Sequence, residues 1–492
     1  MFRKNTSHLQ PSLFGIASQL PKAKLKKLRK SKEYEFYQLV FCQINEKDFS
    51  VLYSDSCSRP NAPVNSLVAS IILMYHNNWT TEALFDRIDF DLLTRTALGL
   101  DTLEQTPFCP ATFFNFQNRL LSHFVATGQN LLEAVFDSLT QDELKTLGIK
   151  TNIQRSDSFM AMSNIRSYSR TQLLIEMLIR LHRVLSDEDK AKFKELNGGT
   201  LQSPDDIDAT YRKKRSEHYK GQSVNVTETA NPDNELNLIT DVTVCSNNTD
   251  DSEILNGRLE TIVEKTPDLE ELHTDGAYGS EDNDKKMEEL EITHVQTAVR
   301  GRKAEVAMEI EEVSEQQYAV KCPRQTVHSQ KTKKRYKACF DIAICKQCPL
   351  SSNCPAKEQG DKRTYYFDRS DYLLGKRNRN IKSLPPEHQK LRPNVEATVK
   401  EFTKPFNHKG KLRVRGLFRT MMYAHAMAIS KNFGRVWRYI AGNPEFFGLS
   451  NLLFGILPCL FAGNKPIELR VINIRDKSRC WLELRQYFRQ AA

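Results

Sequence analysis

Residues Ile149 to Ile165 read IKTNIQRSDSFMAMSNI, and the fold turns on this stretch. Its β-compatible residues predict a strand with an extended continuation, and Asp157 lies within that strand. A carboxylate in an apolar strand is costly unless something neutralises it. Downstream, Leu173, Leu174, Met177, Leu178 and Leu181 share one helical face. Two strand-like runs follow, QSVNVTET (Gln222 to Thr229) and LNLITDVTVC (Leu236 to Cys245), with a turn-forming NPDNE between them. SEILNGRLETIVEK (Ser252 to Lys265) reads as a helix and ELHTDGAYGS (Glu271 to Ser280) as a short strand entering a loop. An acidic helix from Glu281 then precedes the strand THVQTAV (Thr293 to Val299). Three strands, then helix, strand, helix, strand predict an α/β fold, a mixed sheet flanked by helices.

Upstream, Val64 to about Leu147 repeats apolar residues at helical spacing, for example Leu67, Ile71 and Tyr75, then Leu84, Ile88 and Leu92. This predicts an all-α module of four or five helices. The composition shifts divide the chain into a basic arm (1–54), the helical module (55–147), the first part of the α/β core (148–300), a polar, irregular, Cys-bearing insertion (301–371), a basic helical remainder of the core (372–441) and a C-terminal extension (442–492).

The 492 residues are 39% hydrophobic and 27% charged, which fits a globular protein and not a disordered tail. Lys and Arg number 71 against 61 Asp and Glu, so the net charge of +10 leans toward a polyanionic partner. The N-terminus lacks the apolar core of a signal peptide. Phe446 to Gly463 is apolar but broken by Ser450, Asn451 and Pro458, and reads as a buried hairpin, not a membrane span. Eleven cysteines without a secretory signal predict a reducing, cytoplasmic setting.

Asp157, Asp275 and Glu396 stand out by context: one inside a strand, one at a strand end, one opening a basic helix. Carboxylates from such elements can converge to hold hard divalent cations. Two ions about 4 Å apart would clamp both oxygens of an in-line phosphoryl displacement. A lone Asp at a strand end is, however, commonly a cap or turn residue. Glu401 is the fallback third carboxylate. His273 shares a strand face with Asp275 and reads as a buried, hydrogen-bonded His, not a ligand.

A second constellation is Cys322-Pro323, then Cys345-x-x-Cys348-Pro349 and Cys354. Cys322, Cys345, Cys348 and Cys354 are the preferred ligands of one structural Zn²⁺, with Cys339 competing for the fourth position. Such a knuckle is expected to need metal because it is too small to build a core. Basic segments surround the third carboxylate: KTKKRYK (Lys331 to Lys337), KRNRN (Lys376 to Asn380) and HKGKLRVRGLFR (His408 to Arg419). In the last, Lys409, Lys411, Arg413 and Arg415 alternate along one edge of an extended chain, which favours phosphate contacts.

HTDGAYGSEDN (His273 to Asn283) resembles the second-aspartate motif of DDE transposases of the bacterial insertion-sequence type. Ser156 to Asn164, SDSFMAMSN, resembles their first-aspartate strand, and His218 to Leu255 their hairpin. Arg392-Pro-Asn-Val-Glu396 resembles their Arg-x-x-x-Glu signature. Arg59 to Ile88 and Pro110 to Leu120 resemble the helical domain that precedes this core. The resemblance covers about residues 55 to 440. It departs at Phe159, where Thr is usual, at the extra residue Ala277, and at Thr403, where the family has Lys; Lys400 and Lys404 are the alternatives for that Lys.

The resemblance implies an RNase H-like core in which Asp157, Asp275 and Glu396 bind two Mg²⁺ or Mn²⁺ ions. It implies cleavage of double-stranded DNA at transposon ends and strand transfer into target DNA, with at least a homodimer in the synaptic complex and a nucleoid-associated location. Tyr278 and Arg392 would position DNA, alongside Lys400, Lys404, Lys411, Arg413 and Arg415. Similar transposases carry a Cys-x-x-Cys-Pro knuckle between the second Asp and the Glu. The alternatives are a related nuclease or recombinase, and a domesticated, non-catalytic DNA-binding protein keeping the fold and the knuckle.

Overall fold

A computed structural model describes residues 1–443, apart from 10–14, 55–58, 103–105, 167–168, 185–202, 215, 297–305, 307, 315–316, 333–334 and 389–390. Most of the C-terminal extension, including the apolar stretch Phe446 to Gly463, lies outside the described residues. Among those residues no helix is long and apolar enough to cross a membrane.

The basic N-terminal run forms the exposed helix α1 (Lys22–Leu28) and leads into α2 (Lys32–Leu39). Five helices follow as the periodicity predicts: α3 (Val64–His76), α4 (Thr81–Phe90), α5 (Leu92–Ala97), α6 (Pro110–Thr127) and α7 (Leu131–Leu147). Every residue of α3 from Val64 to Met74 is buried, as befits a helix apolar almost all round. It packs against α14 (Leu417–Gly442), whose buried face also meets α7 and the sheet. Asn432 of α14 both accepts from and donates to the backbone of Ile239, at 2.8 Å each way.

The main sheet contains β1 (Ile153–Met162), β2 (Thr210–Lys214), β3 (Glu217–Thr229), β4 (Ile239–Ser246), β5 (Glu271–Thr274) and β6 (Thr293–Gln296). Its order is β2-β3-β1-β5-β6, with β4 also paired to β3. β1 runs antiparallel to β3 and parallel to β5, and β6 runs parallel to β5. The sheet is therefore mixed, as predicted, with β2 as a strand missed in the sequence. β2 and β4 lie end to end along β3, and Gly221 sits where one pairing gives way to the other. Its φ is +152°, and a Cβ there would stand 2.2 Å from the Ala161 carbonyl oxygen, so a side chain is excluded. α8 (Arg170–Val184), α9 (Asp251–Lys265) and α10 (Glu281–Glu289) fill the connections.

The insertion is not irregular. It forms a second six-stranded sheet in the order β11-β12-β10-β9-β8-β7. The strands are β7 (Glu309–Ser314), β8 (Gln317–Lys321), β9 (Thr326–Lys331), β10 (Tyr336–Asp341), β11 (Lys357–Gln359) and β12 (Lys362–Phe367), with α11 (Ile342–Lys346) after β10. Tyr318, Val320, Phe340, Phe367 and Leu373 form a core of their own, which corrects the expectation that this segment is too small to build one. The strands are short and bury one face only, so polar residues dominate the composition while Tyr318 and Val320 alternate inward. α12 (Arg369–Ser383) returns the chain to the main sheet, and α13 (Val395–Thr403) lies against β1.

Candidate active site

β1 and β5 pair Ile153 with Glu271, Gln154 with Leu272 and Arg155 with His273. Continuing that parallel register by two residues sets Asp157 beside Asp275, which directly follows β5. The Asp157 Oδ1 accepts from the Ser158 amide at 2.9 Å. The Asp275 Oδ1 accepts from the Ala277 amide, so the residue extra to the family pattern helps to hold the second carboxylate. Burial pushes the Asp157 carboxyl above its ordinary range; Arg392 pulls it back, and the Asp275 charge adds to the rise.

Glu396 opens α13, one turn after Arg392. Arg392 donates through Nη2 to Asp157 Oδ2 at 2.9 Å and through Nη1 to Glu396 Oε1 at 2.8 Å. One guanidinium thus joins a strand carboxylate that is 13% exposed to a helix carboxylate that is 56% exposed. Arg392 thus links two of the three carboxylates singled out in the sequence, and the strand register sets the third beside Asp157; the oxygens of the three do not all lie within 4.8 Å of one another. Lys400 and Lys404 are exposed on the same helix, Lys400 one turn beyond Glu396. Glu401, the fallback, turns instead toward Arg435, 3.6 Å away.

A buried frame fixes α13 over the sheet, and sequence reasoning missed it. Glu228 of β3 is fully buried and accepts from Arg155 at 2.6 Å, Thr398 at 2.7 Å and Arg435 at 2.8 Å. Arg155 also donates to the Leu391 carbonyl at 2.9 Å, tying the segment before Arg392 to β1. Only the pairing of an Arg and a Glu on neighbouring strands could have signalled it.

The serines flanking Asp157 point to the opposite face of β1. Ser156 bonds Asn225 at 3.0 Å and Ser158 bonds Asp251 at 2.7 Å. Tyr278 joins this buried layer: it is 1% exposed, and its hydroxyl accepts from Asn225 at 2.6 Å. The structure therefore places Tyr278 in the wall behind the carboxylates, not on a DNA-facing surface, because the loop after Asp275 folds back inward.

At the far end of β1, Met162 pairs with Lys411. Lys411, Arg413 and Arg415 donate to the carbonyls of Ile165, Asn78 and Asn164 at 2.6, 2.8 and 2.8 Å. They begin roughly 17 Å along the strand from Asp157, at about 3.3 Å per residue. Arg415 and Arg419 also line a cleft of about 460 Å³ with Tyr75, Trp79 and Phe114. In KRNRN, by contrast, Lys376 pairs with Glu288 at 2.6 Å and Arg377 with Asp284 at 3.1 Å, so these two cations hold α12 to α10.

Cys322, Cys345, Cys348 and Cys354 line a single small cavity of about 20 Å³, and Cys339 does not. The Gln325 amide donates to the Cys322 Sγ at 3.3 Å, and its side chain to the Cys345 Sγ at 3.4 Å. Burial raises the Cys345 thiol, with Arg363 opposing and Cys322 and Cys354 adding to the rise.

Residues 315–437 match the family model described as a transposase DDE domain. Residues 24–119 match a second, described as a transposase domain (DUF772). The first match contains Arg392, Glu396 and the four cysteines; Asp157 and Asp275 lie between the two. No curated protein matches the chain.

Proposed function

We propose that the chain is a DDE transposase of the insertion-sequence type, as its two matches to transposase domain models support, and that Asp157, Asp275 and Glu396 form its catalytic centre. The observation that carries this reading is the Arg392 bridge between Asp157 and Glu396, beside an Asp275 that falls in register with Asp157. The donor set is oxygen only, which fits Mg²⁺ or Mn²⁺, and the positive guanidinium among the carboxylates is what a site favouring cationic charge would attract. When bound, two such ions supply an activated hydroxyl nucleophile and stabilise the departing 3′ oxygen.

The chain's own residues do the rest. The Ser158 and Ala277 amides aim the two aspartates. The Glu228 frame holds α13, and with it Glu396, over the sheet that carries the aspartates. Arg392 balances their charge, and Lys400 and Lys404 present cations to a phosphate backbone beside the cut. Lys411, Arg413 and Arg415 extend that track along the duplex, at roughly five base pairs from the carboxylates given about 3.4 Å per pair. These contacts place the duplex and carry no sequence information. The strand order, with β1 to β4 joined by antiparallel pairings and β5 and β6 added parallel, supports an RNase H-like core. Four cysteines on one cavity support a structural zinc in the insertion. Joining two transposon ends calls for at least two copies of the chain. No observation favours a non-catalytic role.

The test is cleavage of DNA bearing the element's own ends. Asp157→Asn, Asp275→Asn and Glu396→Gln are each expected to lower Mg²⁺-dependent cleavage by more than about 100-fold, beyond the loss typical of residues outside the ligand set. Binding in a mobility-shift assay should persist. Undiminished cleavage in Asp275→Asn overturns the assignment. For the knuckle, purified protein should hold a zinc that Cys345→Ser/Cys348→Ser removes.

A further inference from the structure

Glu271 and His273 are two apart on β5 and so share a face of the sheet. His388 reaches the same point from the turn that precedes Arg392. The His388 Nδ1 lies 3.1 and 3.2 Å from the two Glu271 oxygens, and the His273 Nε2 contacts Oε1. Among the described residues this is the one group of His, Cys, Asp or Glu side chains that could hold a metal with its ligand atoms all within 4.8 Å of one another. The side chains are 14%, 2% and 18% exposed for Glu271, His273 and His388. The planes of the two imidazoles lie at 66° to each other with their centroids 6.4 Å apart, so the rings reach the carboxylate without stacking on one another.

Glu271 is a largely buried carboxylate, and among the described residues no Lys or Arg pairs with it. Its side-chain partners there are the two imidazoles, and all three ligand atoms lie within reach of one ion. Two imidazole nitrogens and one carboxylate oxygen are the donor set of Zn²⁺ and its first-row neighbours, with a fourth position left for water. Hard Mg²⁺ prefers oxygen alone, so this donor set is distinct from the carboxylate trio.

We infer that Glu271, His273 and His388 bind one zinc-class divalent ion. The ion would fasten β5, whose end carries Asp275, to the segment that carries Arg392 and Glu396. Binding at these residues stands without the transposase reading; only its effect on the position of Glu396 rests on it. His273 is buried and hydrogen-bonded, as the sequence reading expected; the inference adds a ligand role, which the sequence does not signal because nothing in it joins His273 to His388.

The experiment uses the full-length chain in a Cys345→Ser/Cys348→Ser background, which takes the knuckle out of the count. Offered a slight excess of Zn²⁺ and then desalted, this protein should retain one equivalent by elemental analysis. Its Co²⁺ form should show exchangeable, hyperfine-shifted imidazole N–H proton resonances, which only a histidine-ligated ion gives. Adding His388→Ala, or the size-conserving His388→Gln, should remove both signals while the melting curve in EDTA stays unchanged. Retention of the equivalent without His388 overturns the proposal, as does its absence from the background protein. Loss of that equivalent in Asp157→Asn would assign the ion to the carboxylates and also overturn it. Metal content is the readout, so failure of the transposase reading, seen as cleavage that survives Asp275→Asn, leaves this result separate.

Discussion

Glu143 lies on the inner face of α7, 9% exposed. Burial, then the neighbouring Asp142 charge, push its carboxyl from 4.5 up to about 8. The folded chain thus keeps a proton that the unfolded chain releases. Between these two values the unfolded state binds fewer protons, so stability falls as pH rises through that window. Full ionisation costs on the order of 5 kcal/mol. Glu143→Gln should flatten the fall in urea midpoint between pH 5 and 8 relative to the parent chain. Such a residue is invisible to sequence patterning, because the helix reads the same whether its Glu faces water or core. The proposed catalytic residues were legible for the opposite reason. Asp157, Asp275 and Glu396 sit in short motifs whose residue types are tied to chemistry. What those motifs did not convey was direction: Tyr278 sits in a DNA-contacting motif by resemblance, yet its ring is spent on the buried layer with Asn225.

At the scale of elements, α13 depends on the Glu228 cluster. Glu228→Ala strands Arg155 and Arg435 without their buried partner, and breaking such a pair costs about 3–5 kcal/mol. Chemical denaturation should read that loss, and end-DNA cleavage should drop with it as Glu396 loses its support. In the insertion, the second sheet has its own core of Tyr318, Phe340 and Phe367. Removing the proposed zinc with a chelator should therefore loosen the turns that bear Cys322, Cys348 and Cys354 and leave the strands intact. Hydrogen exchange should quicken at those turns by at least tenfold, with β8, β10 and β12 still protected. The helices of the N-terminal module and the order of strands from β3 to β6 were legible from periodicity. β2 and the second sheet were not, because strands of three to six residues with one polar face lack a signal strong enough to separate them from loops.

For the whole molecule, the +10 charge matters through where it is concentrated. The sequence showed the alternation of Lys411, Arg413 and Arg415, but not that the segment pairs with the end of β1, the strand that carries Asp157. Replacing each of the three by Ala should weaken binding to every DNA sequence alike. The slope of log affinity against log salt should fall by about one for each phosphate that is no longer neutralised. Mobility shifts at several salt concentrations would measure it. The second sheet leaves the main body after β6 and rejoins it at α12, where Lys376 and Arg377 are anchored to Glu288 and Asp284. The same helix also gives Leu373 to the second sheet's core. One end of α12 is thus packed into the excursion and the next turn is bolted to α10, so a disturbance of the second sheet has a rigid lever along which to reach the main body.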